Sequence, residues 1–300
     1  MKNLISMRDL SNQDIDRLLK TAAQIESGEI LPDMQRQVAA LLFFEPSTRT
    51  MFSFDTAMKR MNGQTIIMSG TKNTSAKKGE SFADTVRTIA EYSDIIIMRS
   101  PVEGAARYAS EVVDIPVVNA GDGANQHPTQ ALLDLYSIQK TQGRLDKLKI
   151  GLAGDLRFGR TVHSLAQAMS KYQAEFKFIS PKFLQMPQYI KEDLDEKKIK
   201  YSEFLEMEGN IDDLDILYVT RIQKERFADP EDYERVKGSY VLKKSMLSNV
   251  RENFRVLHPL PRVDEIATDV DDTRYAYYFP QAQNGVYTRE ALIHILLGGE

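Results

Sequence analysis

Phe44-Glu45-Pro46-Ser47-Thr48-Arg49-Thr50 follows an apolar run, Val38-Ala39-Ala40-Leu41-Leu42-Phe43, and precedes apolar residues at Phe54, Ala57, Met58 and Met61. The run is short and continuous and stops at Pro46, the pattern of a buried strand. The later spacing of three and four residues is that of one helix face, closed by Gly63. Hydroxyl residues and an arginine therefore stand where a strand hands over to a helix. A helix start presents N–H groups without intrahelical acceptors and a partial positive charge, so it favours anions. The hydroxyls of Ser47, Thr48 and Thr50 add donors, and Arg49 can engage two oxygens at once. One such group alone is an ordinary N-cap beside a surface arginine. Four in succession after a buried strand read as a cradle for a phosphoryl group, built without the glycines of a Walker loop.

On either side of this junction the chain alternates. Ser11 caps an amphipathic helix through Ile15, Leu18, Leu19 and Ala22, and strand patterns at 38–44, 65–68, 95–98 and 117–119 are separated by helical patterns. A helix after His127-Pro128 carries Leu132, Leu135 and Ile138 on one face and ends near Gly143. The pattern then restarts, with strands at 149–153, 176–179, 216–219 and 255–257, helices at 161–172 and 189–197, and a closing helix from 286 to 297. Apolar strands alternating with amphipathic helices predict an α/β fold: mostly parallel sheets covered on both faces, in two successive units joined by one helix.

The totals narrow the function. A chain of 300 residues is long enough for two domains, and 42% apolar with 27% charged residues is ordinary for a globular protein. A formal charge of −4 gives no general attraction to nucleic acid or anionic membranes. The absence of cysteine excludes disulfides, thiolate zinc sites and a cysteine nucleophile. With no apolar leader and no apolar run long enough for a bilayer, a cytoplasmic enzyme or binding protein is expected.

Ligands of open α/β sheets sit beyond the carboxyl ends of the strands, and the unusual residues of this chain fall there. Arg99 ends one strand, and His127-Pro128-Thr129-Gln130 closes the loop after another. In the second half, Gly154-Asp155-Leu156-Arg157-Phe158-Gly159-Arg160, Thr220-Arg221-Ile222-Gln223 and His258-Pro259-Leu260-Pro261-Arg262 each follow a strand. These ends deliver cations, imidazoles and amides, and no carboxylate pair, so the site is suited to receiving negative charge. Gly151-x-x-Gly154 lacks the full dinucleotide spacing, and the four histidines show no i, i+4 pair, so neither cofactor nor metal is expected. Asp269, Asp271 and Asp272 read as a solvated turn, and the basic stretch 71–78, with Lys72, Lys77 and Lys78, as a surface loop.

The Phe44–Thr50 stretch, together with His127-Pro128-Thr129-Gln130, resembles the carbamoyltransferases. Lys77-Lys78-Gly79-Glu80, Gly121-Asp122-Gly123, Gly154-Asp155-Leu156, Arg221-Ile222-Gln223 and His258-Pro259-Leu260-Pro261-Arg262 extend the likeness from the first helix to the last. The ornithine-specific members typically carry a cysteine-containing H-C-L-P, where this chain has His258-Pro259-Leu260-Pro261; the aspartate-specific catalytic chains fit better. The resemblance implies transfer of a carbamoyl group from carbamoyl phosphate to L-aspartate, the committed step towards pyrimidines. It implies a carbamoyl-phosphate-binding domain of 1–130 plus 286–300, with the C-terminal helix packed back on it, and an aspartate-binding domain of 131–285.

By position, Ser47, Thr48, Arg49 and Thr50 would hold the phosphate, and Thr50, Arg99 and His127 the carbonyl oxygen. Gln130 and the backbone of Pro259 and Leu260 would meet the carbamoyl amine. Arg160, Arg221 and Gln223 would take the carboxylates of aspartate. The resemblance also implies a homotrimer in which the basic loop reaches a neighbouring site, giving Ser75, Lys77 or Lys78 a role in trans, with Lys78 also an aspartate ligand. It admits separate regulatory chains, and it pairs Glu45 with Arg160 or Arg226 on domain closure. The residues by themselves leave two alternatives: a carbamoyltransferase for another amino acid such as ornithine, or a non-catalytic anion-binding subunit.

Overall fold

The run Val38–Phe43 forms strand β1, buried from Ala39 to Phe43. β1 lies between β2 (Gln64–Ser69) and β3 (Ile95–Ser100), with β4 (Val117–Asp122) beyond β3, and every strand pair in this sheet is parallel. The second sheet runs β7-β6-β5-β8-β9, also wholly parallel: β5 is Lys149–Ala153, β6 Glu175–Ile179, β7 Tyr201–Phe204, β8 Ile216–Val219 and β9 Arg255–Leu257. Among the described residues the α-helices seen from end to end are α1 (Asn12–Ser27), α2 (Thr48–Arg60), α3 (Phe82–Ala90), α4 (Ala105–Val112), α5 (Pro128–Gln142), α6 (Arg160–Ser170), α7 (Gln188–Glu196) and α8 (Tyr278–Leu296). This computed structural model describes residues 1–70, 79–222, 231, 233 and 240–299. The chain divides into Met1–Tyr136 with Gln283–Glu300, and Ser137–Ala282, so that α5 and α8 each run through both units. None of the described helices is long and apolar enough to cross a membrane.

Each unit has its own core. In the first, Leu42, Ile96 and Met98 of the sheet pack with Val86 of α3 and Ala106 and Ala109 of α4. In the second, Ala153, Leu217, Val219 and Val256 pack with Phe254 and Tyr278. Burial of these side chains, at about 25 cal/mol per Å² of apolar surface removed from water, stabilises each core by itself. The C-terminal helix returns to the first unit: Arg289 donates to Ser53 Oγ at 2.9 Å, its guanidinium lies 4.9 Å from the Phe54 ring centre, and Glu290 lies 3.7 Å from Arg60.

The structure departs from the sequence pattern at two elements. β7 was not expected, because Tyr-Ser-Glu-Phe is short, polar and only partly buried; it qualifies as a strand by pairing with β6 from Phe176↔Tyr201 to Ile179↔Phe204. The last helix begins at Tyr278 rather than at 286. Pro280 stands in its first turn, where a missing N–H costs nothing. Gly285 marks no break. A Cβ there would collide with the Arg289 guanidinium, so packing rather than backbone freedom calls for glycine.

Candidate active site

In the first sheet the chain goes from β1 outward to β2, then crosses to β3 on the other side, so the strand order reverses beside β1. That reversal opens a crevice at the carboxyl ends of β1 and β3. Phe43 is in register with Arg99, and Phe44 N–H donates to the Arg99 carbonyl at 2.8 Å. The expected cradle and the expected carbonyl-oxygen ligand therefore leave neighbouring strands at the same level.

Ser47 is the N-cap of α2, and Thr48, Arg49 and Thr50 form its first turn. The Ser47 side chain makes no capping bond; its Oγ donates instead to Thr50 Oγ1 at 3.0 Å. Thr50 is buried, Ser47 half-buried, and Thr48 and Arg49 are exposed. The first-turn N–H groups have no acceptor within the helix, and the helix dipole adds positive potential at the same point. Glu45, in the loop between β1 and α2, sits 3.3 Å from Arg99 Nε, and Arg99 Nη1 reaches the Ala120 carbonyl at 3.4 Å. The arginine is thus held by a carboxylate and a carbonyl at the strand ends. Of the two closure partners drawn from the resemblance, Arg160 and Arg226, the second lies outside the described residues; within the first unit Glu45 serves Arg99.

Asp122 shapes the loop that delivers His127. This buried carboxylate accepts from the Gly104 N–H at 3.0 Å, the Gln126 N–H at 3.0 Å, Asn119 Nδ2 at 3.1 Å and Asn125 Nδ2 at 3.1 Å. His127 then stands immediately before α5, where Pro128 takes the first helical position at no cost. The His127 carbonyl accepts the N–H of Gln130 at 3.0 Å and of Ala131 at 3.2 Å, and its Nδ1 lies 3.4 Å from Thr129 Oγ1. Gln130, one turn on, donates from Nε2 to Asp134 Oδ1 at 2.9 Å.

The second sheet reverses between β5 and β8, and the expected aspartate ligands leave those two strands. Gly154 has φ 110°, and a Cβ on it would collide with the Thr220 carbonyl, so glycine lets the two strand ends close up. Asp155 is buried; its Oδ1 accepts the Phe158 N–H at 2.9 Å, and its own N–H donates to Thr220 Oγ1 at 3.2 Å. That turn places Arg160 at the first position of α6, half-buried, and Thr220 places the half-buried Arg221 just beyond β8. Gln223 lies outside the described residues, as do Ser75, Lys77 and Lys78.

Beyond β9, His258 acts as a fastener. Its Nε2 donates to Glu265 Oε1 at 2.7 Å, and its Nδ1 accepts the Leu260 N–H at 2.8 Å. The other Glu265 oxygen takes the N–H of Val263 and of Asp264, each at 3.1 Å. Leu260 is thereby held at φ 54°, a left-handed conformation rare for a branched side chain, in the middle of the Pro259–Leu260 segment. Burial pushes the His258 pKa down against the pull of Glu265, and the charges of Arg262 and Arg221 push the same way. The imidazole is thus kept neutral, with one donor and one acceptor. Arg262 binds Asp271 through both guanidinium nitrogens, one pair at 2.8 Å, and lies over the Tyr278 ring. His258 and Arg262, grouped with the anion donors on sequence, hold the loop together. Asp271 is the partner of Arg262 rather than part of a solvated turn.

What sequence reasoning misses is the part played by carboxylates: it does not single out Asp134 and Glu265, takes Asp122 only within its motif, and reads Asp271 as a solvated turn. Only Asp134 had a local signal, its i, i+4 spacing from Gln130 on a helix. Among the described residues, no group of three or more His, Asp or Glu is placed to hold a metal ion.

Comparison with known proteins agrees with this geometry. Residues 2–140 match the aspartate/ornithine carbamoyltransferase carbamoyl-P binding domain, and 146–296 match the Asp/Orn binding domain of the same family. The chain is 52% identical to the aspartate carbamoyltransferase catalytic subunit of Thermococcus onnurineus, covering 99% of this chain and 97% of that one. It is 54% identical to that of Vibrio cholerae, covering 99% and 96%. Its fold superposes with a TM-score of 0.91 on the catalytic subunit of M. jannaschii aspartate transcarbamoylase, at 49% identity over 99% and 98% of the two chains. It also superposes at 0.91 on the Trypanosoma cruzi enzyme in complex with N-(phosphonacetyl)-L-aspartic acid, at 37% identity over 97% and 94%. By its domain matches, its relatives and its fold, the chain belongs to the aspartate/ornithine carbamoyltransferase family, on the aspartate side.

Proposed function

We infer that the chain is a carbamoyltransferase: it moves the carbamoyl group of carbamoyl phosphate to the amine of L-aspartate, giving N-carbamoyl-L-aspartate and phosphate. The observation that carries the residue assignment is the placing of arginines at the strand-order reversal of each sheet. Arg49 and Arg99 leave the ends of β1 and β3, and Arg160 and Arg221 those of β5 and β8. One substrate is an acyl phosphate and the other a dicarboxylate, and each needs fixed positive charge.

In this reading the first turn of α2, with Ser47, Thr48, Arg49 and Thr50, holds the phosphate. Thr50, Arg99 and His127 donate to the carbonyl oxygen, while Gln130 and the Pro259 and Leu260 carbonyls accept from the carbamoyl amine. Arg160, Arg221 and Gln223 grip the two carboxylates and aim the amine at the carbamoyl carbon. The amine lone pair forms the new C–N bond, and the carbonyl oxygen gains negative charge facing donors already in place. The C–O bond to phosphate then breaks with its electron pair, and the departing phosphate takes the proton released by the nitrogen. No carboxylate base is needed. The loop 71–78 supplies Ser75 and Lys77 or Lys78 to a neighbouring copy in a cytoplasmic homotrimer that serves pyrimidine synthesis. That arrangement rests on the family likeness and on the basic composition of the loop. Two arginines facing the acceptor disfavour ornithine, whose side chain is a cation.

The test is phosphate release from carbamoyl phosphate with L-aspartate, L-ornithine, succinate or no acceptor. Release with aspartate alone is expected. Release with ornithine would retain the phosphate half and discard the acceptor assignment. Tight carbamoyl phosphate binding without release for any acceptor would make the chain a binding subunit.

A further inference from the structure

We propose that Asp134, backed by the buried guanidinium of Arg289, is a positioning residue that fixes which way the Gln130 amide faces, and so makes the site prefer a ligand –NH2 over a methyl group. The proposal rests on the reading of Gln130 as a ligand of the carbamoyl amine. Gln130 and Asp134 stand one turn apart on α5, and Nε2 lies 2.9 Å from Asp134 Oδ1. A carboxylate has only acceptor sites, so the –NH2 end of the glutamine must be the end that meets it. The amide is planar, so its carbonyl oxygen points away from Asp134. What Gln130 offers a ligand is therefore an acceptor. A carbamoyl –NH2 satisfies that acceptor. An acetyl methyl of the same size would leave it desolvated and unpaired.

The orientation holds only if Asp134 remains a charged acceptor in the interior. Its side chain is 0% exposed, and a carboxylate so placed needs a counter-charge. Arg289 supplies it from α8. Its Nη1 donates to Ser53 Oγ and to the Gly285 carbonyl, each at 2.9 Å, and the guanidinium covers the Phe54 ring at 4.9 Å. Burial pushes the Arg289 pKa down to about 10, and the charge of Asp134 pulls it back up, so the guanidinium stays protonated at neutral pH. Glycine at 285 leaves the room the guanidinium fills. Ser53 and Phe54 lie on α2, so one arginine braces the cradle helix while its charge acts on the carboxylate that orients Gln130.

The experiment uses Asp134→Asn, whose amide can donate or accept and so releases Gln130 to flip, with Gln130→Ala setting the scale. KM and kcat for carbamoyl phosphate are measured in the full chain, with inhibition constants for acetyl phosphate and inorganic phosphate. Asp134→Asn is expected to raise KM for carbamoyl phosphate about tenfold and to lower the preference over acetyl phosphate by a similar factor. Inorganic phosphate should change by less than about twofold, because the cradle is untouched. An unchanged preference in Asp134→Asn beside a lost one in Gln130→Ala would overturn the proposal and leave the role of Gln130 standing. A preference retained in Gln130→Ala would remove that role and the proposal with it. Weakening of all three ligands alike would make Asp134 a structural residue only. Should Asp134→Asn fail to fold, Asp134→Ser, whose hydroxyl can donate or accept and leaves Arg289 in place, carries the same expectation and the same overturning results.

Discussion

Three described helices of the first unit start on a serine, and α1 and α2 use it in opposite ways. At α1, Ser11 has extended angles (φ −75°, ψ 165°) and accepts the Asp14 N–H, while the Asp14 carboxylate takes the Ser11 N–H in return at 2.9 Å. At α2, Ser47 has φ −157° and ψ 84°, makes no capping bond, and turns its hydroxyl to Thr50. α3 follows the first pattern, with Ser81 accepting the Asp84 N–H. A cap bond contributes ~1 kcal/mol, and α2 forgoes it. The first-turn donors are then free of any side chain of the cap, and an external anion can take the position a cap would fill. Acidic residues make the same contrast. Asp14 and Asp84 stand in the first turns of α1 and α3, and no acidic residue stands in that of α2.

The largest expected effect tests the α2 side. Arg49→Ala should lower kcat/KM on the order of 10³-fold or more, with an unchanged melting temperature because the side chain is exposed. Mixed with inactive Lys78→Ala chains, it should regain activity if the sites are shared between copies; verified mixed trimers that stay inactive would rule out sharing. A matched pair comes next. Ser47→Ala should weaken inorganic phosphate binding about tenfold and leave stability nearly unaltered, whereas Ser11→Ala should cost ~1 kcal/mol in urea unfolding and leave kcat unaltered. Equal stability losses in the two variants would dissolve the contrast.

The smallest effect is on pH. Hydrogen bonds from Ser11 hold the Asp14 pKa below its ordinary value of 3.8. A depressed carboxylate contributes stability above the unfolded value and loses it as pH falls through the folded one. Asp14→Asn should therefore make unfolding less sensitive to acid below about pH 4, with no change in pH dependence of kcat. A steeper acid limb in the variant would mean that Asp14 does not stabilise the cap.

The same contrast explains what could be read from sequence. A run of donors after a buried strand is a local pattern, so Ser47–Thr50, Arg99, His127 and Arg160 could be placed at strand ends from residue types and spacing alone. Several carboxylates that steady the strand ends are not local. Glu45 reaches Arg99, Glu265 reaches back seven residues to His258, and Asp271 reaches Arg262 nine residues away. Glu265 and Asp271 look in sequence like two more surface charges. His258 and Arg262 were misread for that reason, since a cation or imidazole at a strand end signals a ligand until its internal partner is seen. The start of α8 was misread because Pro280 and Gly285 are breakers by propensity, and only the tertiary position of Arg289 shows why a glycine belongs inside that helix.

The return of α8 to the first unit has a consequence for the order of biosynthesis. Ser53 and Phe54 are made early, but Arg289 reaches them only after the whole second unit has been translated, an interval of roughly 10–50 s at ordinary rates of elongation. Throughout that interval the nascent first unit lacks its bracing guanidinium, while the second, contiguous in the chain, can complete its sheet on the ribosome. Bracing of α2, where the phosphate cradle is proposed, is thus a late event of synthesis although its residues are among the earliest made. Chains that end between Ala282 and Arg289 would carry a finished second unit and an unfinished first, the form a quality-control protease would meet.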